Sequence, residues 1–86
     1  MQNYKIDILS YSTNNSVKSD CADICFQNNG TVDVVLNGSY TILANGGVLS
    51  LSANNDEIDR TIYTFAFPPT ATVTQCALIV IRKVYI

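Results

Sequence analysis

With 86 residues the chain is long enough for one domain, residues 1–86, and short enough that only around 60 to 65% of its unfolded surface can be buried. Charged residues make up 14% and apolar ones 48%, against a usual charged fraction of about 25%, which excludes a disordered chain and leaves surface for a partner. A formal charge of −2, with no basic cluster beyond Arg82-Lys83, excludes the electrostatic footprint of a nucleic-acid binder.

Met1 to Asp7 has no basic stretch followed by an apolar one, so it does not read as a signal peptide, and synthesis in a host cytoplasm is expected. No apolar run approaches the roughly 20 residues of a membrane-spanning helix, so no membrane span is expected. Residues 4–11 alternate as a half-buried strand does, with Tyr4, Ile6 and Ile8 on one side and Lys5 and Asp7 on the other. Residues 12–20 are polar and read as a loop. Residues 21–27 read as a second strand with Ile24 and Phe26 on one face.

Asn29-Gly30, Asn37-Gly38 and Asn45-Gly46 then recur at eight-residue spacing, with strand-length apolar segments between them. Glycine and asparagine take the positive φ of tight turns most readily, so this beat predicts an antiparallel meander. A two-residue loop at Asn37-Gly38 splits the apolar set, whereas a loop of Leu36, Asn37 and Gly38 sets Val34 opposite Tyr40 and Val32 opposite Ile42. With a two-residue turn next, Leu49 and Leu51 join the same face. Residues 53–59 read as a loop. Residues 61–67 form a strand with Tyr63, Phe65 and Phe67 on one face, stopped by Pro68-Pro69. The last strand, residues 70–86, is apolar on both faces between Cys76 and Ile81 and needs cover on both sides. The predicted fold is all-β: a small antiparallel β-sandwich, jelly-roll-like or meander, of about seven strands.

Chemistry finds little footing. With no histidine, the commonest general base and metal ligand are missing, and Asp20 and Asp23 would raise a neighbouring thiol pKa, so no catalytic residue, metal ligand or cofactor site is assigned and no enzyme is expected. Cys21, Cys25 and Cys76 are odd in number and read as small buried groups; zinc would find three ligands where a structural site uses four. The acidic run from Asn54 to Asp59 has oxygen ligands of the kind calcium prefers but not the EF-hand spacing, and reads as a solvated loop. The Asn-x-Ser/Thr triplets at Asn14, Asn29 and Asn37 read as turn chemistry rather than glycan acceptors. Of five tyrosines, parity leaves Tyr11 and Tyr85 as candidate sugar-stacking platforms.

Phe26-Gln27-Asn28-Asn29-Gly30-Thr31, Leu36-Asn37-Gly38, Leu43-Ala44-Asn45-Gly46-Gly47, the stretch from Glu57 to Phe65 and the stretch from Cys76 to Lys83 resemble, in strand-and-turn style, small all-β bacteriophage virion proteins. The resemblance implies a non-enzymatic particle component located in the virion, such as a capsid-decorating, minor capsid or head or tail accessory protein. It would act through homo-oligomer contacts and contacts with other virion proteins such as the major capsid protein. The alternatives are a carbohydrate- or cell-surface-binding β module, and a small inhibitor or adaptor that adds a strand to a bacterial protein. The last strand is the expected interface, through Leu78, Val80, Val84, Tyr85 and Ile86.

Overall fold

Period-two alternation of apolar residues gives strands that each need a second layer, and eight of them build it. The structure, a computed structural model, describes residues 3–52 and 57–86. Its strands are β1 (Tyr4–Tyr11), β2 (Asn15–Lys18), β3 (Asp23–Asn28), β4 (Val34–Leu36), β5 (Tyr40–Ile42), β6 (Gly47–Ser52), β7 (Ile62–Ala66) and β8 (Leu78–Tyr85), with a 3-10 turn at Val73–Gln75. They form two four-stranded sheets, β1-β8-β3-β6 and β2-β7-β4-β5. All pairings are antiparallel, so the fold is a small β-sandwich of eight strands rather than seven. The additional strand is β2, inside the stretch read as a loop.

The pairings β4·β5, β3·β6, β2·β7 and β1·β8 describe one long antiparallel ribbon whose successive rungs alternate between the two sheets. A ribbon rolled up in this way is a jelly roll, and the meander is excluded. Only Asn37-Gly38 turns a hairpin within one sheet. Asn29-Gly30 lies where the chain leaves β3 for β4 and changes sheet, and Asn45-Gly46 lies where it changes back between β5 and β6. Leu49 and Leu51 therefore pair with Phe26 and Ile24 of β3, not with β5.

At the hairpin the three residues outside the ladder are Asn37, Gly38 and Ser39, with Asn37 and Gly38 at φ 51° and 71°. Val34 then faces Ile42, and Leu36 faces Tyr40. The register differs by two residues from the expected one, which preserves parity: Val34, Leu36 and Ile42 are buried, while Tyr40, at the rim, is 49% exposed.

The core lies between the sheets. Phe26, Ile24, Leu78 and Val80 from one sheet meet Phe65, Val34 and Ile42 from the other, all fully buried. Each such side chain contributes about 1.5 to 3 kcal/mol on leaving water. Tyr63, Phe65 and Phe67 share the inner face of β7 and its continuation as expected; Tyr63 stands edge-on to Phe26 at 5.2 Å, and Phe65 packs on Tyr11 at 4.8 Å.

Candidate functional site

Parity decides what each strand of the β1-β8-β3-β6 sheet shows to solvent. In β8, Leu78, Val80 and Val84 face inward, so Ile79, Ile81, Lys83 and Tyr85 must face outward. Cross-strand neighbours share a face. Tyr4, Ile6 and Ile8 of β1 therefore stand outside, beside Tyr85, Lys83 and Ile81, and Cys25 of β3 completes the row beside Ile81. This inverts the face expected for β1. Its inner parity carries Leu9 and Tyr11, which pack on the core, and Asp7, which is neutralised by Arg82. The result is an outward apolar face with Ile6 54%, Ile8 64% and, on the far edge strand, Val48 54% exposed.

A shallow groove of about 350 Å³ runs along one end of this face, lined by Tyr4, Ile6, Cys25, Ile81 and the oppositely charged neighbours Asp23 and Lys83. The Lys83 ammonium lies 4.7 Å from the centre of the Tyr4 ring, a cation–π contact, and Asp23 beside it balances its charge.

The expected interface residues divide across the sheet. Leu78 and Val80 are at 0% exposure in the core, so their side chains present nothing to a partner, and Val84 packs on the core margin. Tyr85 shares the outer face and Ile86 is 75% exposed. Of the sugar-stacking candidates, Tyr11 is committed to Phe65. Among the cysteines, all free, Cys21 and Cys76 are buried, whereas Cys25 is half-buried on the outer face, because Cys21 and Ala22 are buried consecutively and break the alternation before β3 begins. Asn54, Asn55 and Asp56 of the acidic run, with Ala53, lie outside the described residues. Asn37 takes the positive φ of a turn, while the side-chain oxygens of Asn14 and Asn37 accept the distant Phe67 and Thr64 backbone N–H groups, each at 2.8 Å, which is tertiary bonding rather than turn chemistry.

A polar cluster closes one end of the sandwich. Arg82 reaches from β8 across to the carbonyls of Lys18 (2.7 Å) and Ser19 (3.1 Å) and binds the Asp7 carboxylate, so one guanidinium ties both sheets together. The Ser19 hydroxyl donates to the Asp59 and Thr61 carbonyls, and the Tyr63 hydroxyl donates to the Asp59 carboxylate at 2.6 Å. Burial works to raise the Asp59 pKa, but the Tyr63, Thr61 and Ser19 hydrogen bonds overcome it and hold the carboxyl below its ordinary range. Burial, reinforced by Asp59, pushes the Tyr63 phenol to about 12 and the Cys21 thiol to about 11. The cluster thus holds a protonated thiol and phenol, the opposite of an activated nucleophile. Among the described residues, no three acidic, cysteine or histidine side chains converge as metal ligands.

The cluster makes stability fall on the alkaline side. Tyr63 and Cys21 have folded pKa values above their ordinary 10 and 9, so their contribution is complete below about pH 9 and is lost as pH rises towards 12. Thermal melting followed from about pH 8 to 11.5 is expected to show a steepening decline, and Tyr63→Phe is expected to flatten its upper part, where the phenol supplies at most about 3 kcal/mol. Asp59 acts in the reverse sense: its contribution is present above the ordinary carboxylate range and is lost as pH falls through its lowered value.

No described helix is long and apolar enough to cross a membrane. No protein-family model, curated protein or solved structure matches the chain.

Proposed function

We propose that the chain works by association rather than by chemistry, as a non-enzymatic structural component of a phage particle whose outer β1-β8-β3-β6 face seats on another virion protein such as a shell subunit. The observation that carries this reading is the apolar outer face itself. Ile6, Ile8, Ile79 and Ile81 share one surface of a protein whose core is already complete without them. Contiguous exposed apolar surface of this kind marks interaction sites. The jelly roll is a scaffold of viral capsid domains and also of lectins, an analogy of fold that supports a capsid or sugar-binding setting and needs the surface to choose. A face dominated by isoleucines, with its two charges opposed, suits protein association better than it suits sugar.

Ile81→Lys and Val48→Lys place a charge on this outer face without entering the core. Both variants are expected to keep the wild-type melting behaviour within a few degrees and to fall at least about tenfold in incorporation, measured by mass spectrometry of purified particles. Wild-type protein absent from particles, or variants incorporated as well as wild type, would overturn the reading.

A further inference from the structure

The open edge of β1 has a geometry that fits a second copy of the same strand, and this rests on the association reading while concerning a different surface. β1 ends its sheet, with β8 on one side and, among the described residues, no strand on the other. Eight residues is a long edge to leave unpaired. The Ile86 N–H donates to the Asn3 carbonyl at 3.1 Å, which fixes the alternation of the ladder: Asn3, Lys5, Asp7 and Leu9 turn their backbone groups to β8. Tyr4, Ile6, Ile8 and Ser10 turn theirs to the open edge.

We infer that two copies associate through this edge, antiparallel about a two-fold axis at Ile6, joining their sheets into one continuous eight-stranded sheet. Only registers that pair outward-turned residues with each other can form hydrogen bonds, and the charges choose among them. Centred on Lys5, the pairing opposes Lys5 to Lys5. Centred on Asp7, it opposes Asp7 to Asp7. Centred on Ile8, it sets Asp7 against Leu9 and Lys5 against Tyr11. Centred on Ile6, it pairs Tyr4 with Ile8, Ile6 with Ile6 and Ile8 with Tyr4, for about six backbone hydrogen bonds. Lys5 then stands opposite Asp7 twice over, in the non-hydrogen-bonded pairs where side chains come closest.

Charges on an edge strand ordinarily guard it against pairing. Here the like pair at Lys5 repels one neighbouring register, and Lys5 opposite Asp7 favours this one by sharing the carboxylate that Arg82 already binds within each chain. The interface is isologous, as a two-fold dimer requires. Its apolar side, Ile6 and its copy flanked by Tyr4 and Ile8 of each chain, lies on the outer face already described, so dimerisation doubles the width of that face.

The test is Ile6→Cys in a Cys25→Ser background, with Ile8→Cys as its control. Opposed residues of a hydrogen-bonded pair have Cα atoms about 5.5 Å apart, a separation that a disulfide spans. Mild oxidation is expected to link position 6 to position 6 in a peptide identified by mass, and to link Ile8→Cys at least about tenfold less, because its partner is Tyr4. Light scattering should show a dimer of wild type, and Lys5→Glu, which leaves the β1·β8 ladder intact, should raise its dissociation constant at least about tenfold. A monomeric mass across the micromolar range, efficient linkage at position 8, or a dimer indifferent to Lys5→Glu would overturn the inference. So would a complex in which another protein occupies the edge while this chain stays monomeric. A chain that stays monomeric while particle incorporation still depends on Ile81 would overturn this inference alone and leave the association reading standing.

Discussion

Asn28→Asp is expected to destabilise the protein by about 3 kcal/mol or more at neutral pH, a large share of the roughly 4 to 13 kcal/mol available to a chain of this length. Asn28 is the last residue of β3 and is fully buried. Its amide donates to the Val32 carbonyl at 2.9 Å and the Ile42 carbonyl at 3.0 Å, and its oxygen accepts the Gly30 N–H at 3.0 Å. One side chain thus ties the end of one sheet to a strand of the other at the corner where the chain changes sheet. Aspartate has nearly the same shape but no amide donors, so a buried carboxylate would face two carbonyl oxygens. Its folded pKa would rise, so the contribution regained through a protonated carboxyl is present at low pH and lost as pH rises. Urea denaturation at two pH values reads this directly. The stability gap to wild type should be widest at neutral pH and should narrow near pH 4. An equal gap at both would show that ionisation of the buried carboxyl carries none of the loss.

Gly30→Ala should be comparably harmful, for a reason unrelated to turn conformation. Gly30 does not have the positive φ of Gly38 and Gly46. Its backbone is pressed against the segment that links the 3-10 turn to β8: the Asn29 N–H donates to the Ala77 carbonyl at 2.8 Å and the Thr31 N–H to the Gln75 carbonyl at 2.9 Å, with Gly30 held between. A Cβ here would collide with the Gln75 carbonyl oxygen and lie 2.9 Å from the Ala77 nitrogen. Both are backbone atoms, so relief requires separating two hydrogen-bonded segments, at about 3 kcal/mol or more. Gly38→Ala meets open space and strains only its left-handed backbone, which costs about 1 kcal/mol. Chemical denaturation of the two alanine variants side by side is the measurement, and equal losses would refute the distinction.

These two residues show where the sequence is legible and where it is not. Alternation places Ile24, Phe26, Tyr63, Phe65 and Phe67 inside, because period two is a local property that packing has no reason to overturn. The Asn-Gly beat locates the corners equally well. It cannot tell a hairpin from a change of sheet, since both need a tight turn and only tertiary pairing separates them. Asn28 looks like turn material because nothing nearby in sequence announces that Ile42 will stand beside it. β2 is hidden for a similar reason: of its four residues only Val17 is buried, and its pairing with β7 supplies what its composition lacks. At the candidate site, the two-sided apolarity of β8 matches a strand with one apolar face in the core and another turned outward. Which side that is depends on Asp7, whose place on the inner parity of β1 follows from Arg82, seventy-five residues away.

The rolled ribbon also sets an order of assembly. Its rungs close progressively longer loops, from the three residues between β4 and β5 to almost the whole chain between β1 and β8, and the entropy of closure rises with loop length. The hairpin at Asn37-Gly38 is the least costly rung to form and β1·β8 the most costly, so folding proceeds from the middle of the chain outward and β1 docks last. Until it does, β8 is itself an open edge. The strand that completes the fold is thus the one whose outer edge the finished sheet leaves open, so the pairing proposed above would have to wait on a finished fold.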